Sequence, residues 1–114
     1  MDEYKINIST DFSPTPGPRY INEGKYSGEL FRQTLLYQVV KDAIINDKSF
    51  EVNLDGTAGY ATSFLEESFG GLIRIHHLPY DKIIQLMVLI SEEEDYLIDD
   101  IHEYLNDAYE EFRK

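Results

Sequence analysis

The chain has 114 residues, enough for one hydrophobic core, and it reads as a single domain over residues 1–114. Hydrophobic residues at 42% mark a folding chain rather than a disordered one, and the absence of cysteine excludes disulfides, thiol catalysis and cysteine metal sites. A net charge of −12 opposes nucleic-acid phosphates and anionic lipid headgroups, so the expected partner is a protein, with no direct nucleic acid and no membrane.

From the N-terminus, Met1-Asp2-Glu3-Tyr4-Lys5 has no basic region followed by an apolar run, so no signal peptide is expected. Tyr4 to Ser9 alternates, with Tyr4, Ile6 and Ile8 opposite Lys5 and Asn7, which predicts a half-buried strand. Asp11 to Gly24 carries Pro14, Pro16 and Pro18 with Gly17, and reads as a long loop. Long loops in small domains often carry function. Ser27 is a candidate N-cap for a helix from Gly28 to about Asn46. Its stripe is Phe31, Leu35, Val39 and Ala43, widened by Leu36, Val40 and Ile44, and Arg32 is placed mostly outside it. Phe50 to Leu54 alternates as a second strand that Asp55-Gly56 stops. Phe64 to Arg74 reads as a second helix, with Gly70-Gly71 either admitting a close backbone neighbour or ending it early. Ile83 to Ile90 is nearly all apolar and reads as one strand covered on both faces. It falls well short of the roughly 20 residues of a membrane span. Glu93 to Arg113 is the last helix, with Leu97, Ile101, Leu105, Ala108 and Phe112 facing inward. Strand–helix alternation, β-α-β-α-β-α, predicts an α/β domain with helices packed on a mostly parallel or mixed sheet.

The candidate site is the turn between Leu54 and the second helix. Ser63-Phe64-Leu65-Glu66 fits a capping box, with Ser63 as N-cap and Glu66 reaching back to it. Thr62 has no such structural role, and a phosphoryl group on Thr62 or Ser63 would sit at the positive end of a helix. Gly56 and Gly59 form neither a dinucleotide fingerprint nor a phosphate loop, so no cofactor is expected. His76-His77 lacks metal-ligand spacing and reads as a loop pair. The C-terminal carboxylates lie on the solvent side of an amphipathic helix, with no pocket for acid–base work. They provide either a solvated face or a dock for a basic partner. Arg19 and Arg32 either bind an anion or a partner, or pair locally with carboxylates.

Asn53-Leu54-Asp55-Gly56 through Thr62-Ser63 resembles the central segment of STAS domains, the fold of anti-sigma factor antagonists. There a Leu/Val-Asp-Leu-Ser strand leads to Asp-Ser-Ser/Thr-Gly at a helix start, and a serine kinase with a histidine-kinase-like ATPase fold phosphorylates the first serine. The resemblance places the phosphoacceptor at Thr62, next to Ser63. Ala61 stands where that family has aspartate, and Phe64 where it has glycine. A closer similarity is to the bacterial STAS-like domain family of unknown function. It is carried by Thr15-Pro16-Gly17-Pro18-Arg19, by Ser27-Gly28-Glu29 with Phe31-Arg32, and by Gly59-Tyr60 with Ser63-Phe64-Leu65-Glu66-Glu67 and Phe69-Gly70-Gly71-Leu72. The resemblance implies a non-enzymatic, cytoplasmic regulatory module that binds a protein, an ATPase-type kinase among the candidates, with Gly59, Tyr60, Thr62 and Ser63 at the contact. The alternative expectation is an acidic inhibitor of phage type that mimics nucleic acid in a basic groove.

Overall fold

Residues 4–113 are described in a computed structural model. The chain forms β1 (Lys5–Asn7), α1 (28–46), β2 (Phe50–Asn53), α2 (62–74), α3 (Tyr80–Leu86), β3 (Met87–Ile90) and α4 (Tyr96–Phe112). Both α1 and α2 widen from α-helical to π-helical bonding in their middles, over Arg32–Leu36 and Glu66–Gly70. Such wide turns inside helices often occur at functional positions.

Several boundaries follow from identifiable residues. Ser27 caps α1 by accepting from the Leu30 N–H at 3.0 Å. Asp47, in the left-handed region at φ 53, ends α1. The first strand is shorter than its alternation predicts. Asp11 accepts the Asn7 N–H at 2.8 Å, and the chain curls into a single wide turn over Ile8–Phe12. The Ile83–Ile90 run is not one strand. Ile83 and Leu86, three residues apart, are buried on one face of α3 while Gln85 is exposed, and only Met87–Ile90 is extended. An unbroken apolar run carries no period, so helix and strand could not be separated in it. This adds a helix to the expected six-element order. The last helix starts at Tyr96 rather than Glu93, because the backbone of Glu92 and Glu93 is held in a turn by Asp55.

The three strands form one parallel sheet in the order β1-β2-β3. Both crossovers step in the same direction, and the right-handed sense of βαβ units puts both on one face of the sheet. Burial agrees. Ile6, Phe50 and Val52 are buried on that face, while the row Lys5, Glu51 and Val88 lies on the other. Among the described residues the sheet is therefore covered on one side only.

Under the helices, an aromatic chain joins the segments that carry the candidate site. Phe12 packs edge-on against Tyr26 and tilts against Phe31, Phe31 stacks on Phe64 at 5.8 Å, and Tyr60 tilts against Phe64. The helix starts meet backbone to backbone: a Cβ on Gly28 would overlap the Phe64 carbonyl. Ser68 fills the remaining space, donating to the Phe64 C=O at 2.7 Å.

Alanine is normally the better helix former by about 1 kcal/mol. At Gly28 the sign should reverse. Gly28→Ala is expected to destabilise by about 1–3 kcal/mol through overpacking, read from the denaturant midpoint at unchanged slope.

Candidate functional site: the rim before α2

The sheet's C-terminal rim is built by the turn that leaves β2. Asn53 Oδ1 accepts the Asp55 N–H at 2.9 Å and starts it. Asp55 then accepts the N–H groups of Glu92 and Glu93, and Glu93 returns a bond from the Gly56 N–H at 2.9 Å. Turn and post-β3 segment thus hold one another. Gly56 and Gly59 have φ of +88 and +132, which disfavour side chains. A Cβ on Gly59 would meet nothing within 4 Å, so its backbone faces open space. Tyr60 donates to the Leu54 C=O at 2.7 Å, and burial pushes its hydroxyl up to about 12. Tyr60 is therefore a neutral packing group that fixes the turn.

Ser63 is not the helix cap. Ala61 occupies that position with no side-chain cap, and α2 begins at Thr62. The Phe64 and Leu65 N–H groups turn back to the Ala61 C=O. Thr62 is exposed, while Ser63 is half-buried. The capping box fails because Glu66 points elsewhere, into an ion network.

That network determines where the two arginines go. Arg32 is 2% exposed, and its Nη1 donates to both the carboxylate and the C=O of Glu67 at 2.7 Å. Arg32 thus belongs to the buried stripe and not outside it. The signal was present: Arg32 precedes Leu36 and Val40 at steps of four, on the row that packs inward. Space for the guanidinium comes from Gly71, whose Cβ would overlap it. Arg19 bonds to Glu66 at 2.5 Å and to Glu67 at 3.2 Å, and Arg74 bonds to Glu66 at 2.8 and 3.2 Å. Burial pushes the Glu66 carboxyl up, but the bonds from Arg74 and Arg19 outweigh it and hold it below the usual range. The Glu66 bond raises the Arg19 guanidinium. Both arginines pair locally, so neither stands as an open anion site. Nothing in the sequence pattern pointed to Glu66 and Glu67 as their partners, or to Arg74 as a third cation on the same carboxylates, since spacing within α2 does not indicate what faces it.

Arg19 also fastens the proline loop. The Gly17 N–H donates to the Tyr26 C=O at 2.9 Å and closes the loop's neck, while the Gly28 and Glu29 N–H groups donate to the carbonyls of Pro18 and Arg19. The Ala58 N–H donates to the Pro14 C=O at 2.8 Å, which ties the turn to the loop. Loop and turn form one continuous, preorganised surface with Tyr20, Ile21 and Tyr26 exposed.

His76 completes the network from the far side. Its Nε2 accepts from Arg32 Nε at 3.2 Å, and its ring stacks on Tyr37 at 3.9 Å. His77, at φ 56, tilts against Phe112 of α4 instead, so the pair diverges. Among the described residues, no group of three or more His, Asp or Glu is placed to hold a metal ion.

Two expectations follow. Glu67→Gln strands the buried Arg32 charge and should cost about 3–5 kcal/mol in chemical denaturation, the penalty of halving a buried ion pair. The second concerns pH. Burial, then Arg32 and His77, hold His76 below its ordinary 6.5. The unfolded chain therefore binds this proton at higher pH than the folded chain does. The stability involved is present above about pH 6.5 and is lost as pH falls through the lowered folded value. His76→Gln keeps an acceptor for Arg32 and should flatten the stability profile in that window. Glu66 has the same sign at lower pH, below its ordinary 4.5, and should be unaffected by the substitution.

Comparison with known proteins adds one match. The family model described as a STAS-like domain of unknown function (DUF4325) covers residues 27–97, from the α1 cap to the start of α4. No curated protein and no solved structure matches the chain. The matched span contains β2, the turn, both π-widened helices and β3, and it includes more than half of the residues. The chain belongs to the STAS-like domain family of unknown function.

Proposed function

We propose that this domain is a non-enzymatic regulatory module that binds a protein partner across the surface formed by the turn before α2 and the proline loop. The observation that carries the reading is their mutual fixation. The Ala58–Pro14 bond and the Arg19–Glu66 pair make one rigid surface of two segments. Binding to a rigid surface avoids the ordering cost that a mobile loop would impose. Tyr20, Ile21 and Tyr26 provide exposed apolar area of the kind that anchors interfaces. Gly59 leaves the backbone approachable.

The partner class indicated by the STAS resemblance is a histidine-kinase-like ATPase or serine kinase, acting in the cytoplasm. Thr62 is the phosphoacceptor in this reading. It is exposed at the first turn of α2, where negative charge is stabilised by the helix. Ser63, half-buried beside it, is the lesser candidate. A phosphate there would add negative charge to an already acidic surface and so change which partner fits.

A second reading rests on a separate feature. Asp99, Glu103, Asp107 and Glu111 form one exposed row along α4, which would suit an acidic decoy in a basic groove. Neutralising that row and measuring salt dependence separates the two. The decoy loses binding, and the regulatory module does not.

For the first reading, a pull-down with mass spectrometry identifies the partner, and titration of variants follows. Tyr20→Ser with Ile21→Ser is expected to weaken binding about tenfold or more. Thr62→Glu should differ from Thr62→Ala in affinity, and the Ser63 pair should differ less. Equal affinity across the Thr62 and Ser63 variants would remove the switch while leaving the interface intact.

A further inference from the structure

We propose that the outer edge of β3 is a docking strand for an extended, cationic segment of a partner protein, which adds beside it as a fourth strand. This is a different surface from the turn and the proline loop, and it stands whether or not those bind anything.

The Leu54 N–H donates to the Ile90 C=O at 2.8 Å, and the parallel register pairs Val52 with Leu89. Groups facing a given neighbour alternate along a parallel ladder. Val88 and Ile90 therefore turn their backbone toward β2, while Met87 and Leu89 turn theirs away. The Met87 N–H is used, donating to the Ile83 C=O at the end of α3. The Met87 C=O and the Leu89 N–H and C=O remain on the outer edge. Among the described residues no strand pairs there, since β3 is last in the sheet order.

The opposite edge shows what protection looks like in this molecule. On β1 the outward Asn7 N–H is taken by the Asp11 carboxylate at 2.8 Å, and the chain curls away at Ile8. Edge strands are commonly blunted by charge, proline or a bulge. β3 has none of these: Met87-Val88-Leu89-Ile90 is entirely apolar, and Val88 is 45% exposed on the uncovered face of the sheet. An apolar edge with unpaired backbone groups recognises an extended chain, with main-chain bonds for affinity and alternate side chains for selection.

Charge selects the occupant. β3 runs into Glu92, Glu93 and Asp95, all exposed, and Glu51 lies beside Val88 on the uncovered face. A second copy would bring another −12 to the same edge. A segment with Lys or Arg between apolar residues meets both the edge and its acidic end.

The test uses the full chain, labelled for amide exchange by NMR, with a short synthetic peptide of alternating valine and lysine and its valine–glutamate counterpart. The lysine peptide is expected to slow exchange of the Leu89 amide about tenfold, and the glutamate peptide is not. Leu89→Pro removes the outward N–H at an edge position where proline is tolerated, and should abolish the chemical-shift changes that the lysine peptide causes at Val88 and Ile90. Should that variant fail to fold, Val88→Lys places a like charge on an exposed position and should weaken the lysine peptide instead. Thr62→Ala should bind the peptide as the parent does, which separates this edge from the turn. Equal responses to both peptides, an unprotected Leu89 amide, loss of binding in Thr62→Ala, or a concentration-dependent dimer that protects Leu89 without peptide would each overturn the proposal.

Discussion

Arg32 and Glu67 are buried charges, and burying charge is costly unless the geometry satisfies them. Here the cost is offset by two bonds from one guanidinium nitrogen, to the Glu67 carboxylate and to its own C=O. Many other features are arranged around that contact. Both helices widen where it forms, Gly71 clears room for it, and His76 accepts the remaining Nε bond. The same Glu67 also bonds Arg19 of the proline loop and lies 3.6 Å from Arg74. One buried carboxylate therefore sets the relative position of α1, α2 and the loop.

The second constraint is topological. Strands added in the order β1-β2-β3, each crossover right-handed, place the connecting helices α1, α2 and α3 on one side. Parallel sheets are usually buried on both faces. In this chain one face remains outside, bearing Lys5, Glu51 and Val88. The C-terminal rim is where α/β sheets commonly carry their sites. Here it is closed by bonds between the turn after β2 and the segment after β3.

Charge is distributed unevenly over this frame. Against a net −12, the ion network gathers three guanidinium groups around two carboxylates. Next to it the proline loop exposes tyrosines and an isoleucine. The segment after β3 and the outer row of α4 are acidic. A partner reading both regions would need mixed charge and apolar anchors, whereas one reading only α4 would need uniform positive charge. This difference is why salt dependence separates the two functional readings.

Local order was largely legible in the sequence. The Ser27 cap, the α1 stripe, the alternation of β2 and the inward row of α4 from Leu97 to Ala108 depend on neighbours within a few residues, and side-chain period reports them directly. Phe112 departs from that row: it is 51% exposed in the last turn and lies against His77. The family motif was legible too: Gly28 stands where the Phe64 backbone leaves no room for a Cβ, and Gly71 stands where the Arg32 guanidinium leaves none. The extent of β3 was not, since an apolar run looks the same in α3 as in a strand. Nor was the role of Glu66. Its spacing from Ser63 satisfied a local rule, yet Arg19, 47 residues away in sequence, offered a charged partner that a backbone N–H could not match. The sequence by itself determined which segments become helices and strands, because those choices are decided within a turn or two. Only the tertiary structure decided which charges meet, which sheet face stays bare and which strand edge stays open, because each depends on groups that folding alone brings together.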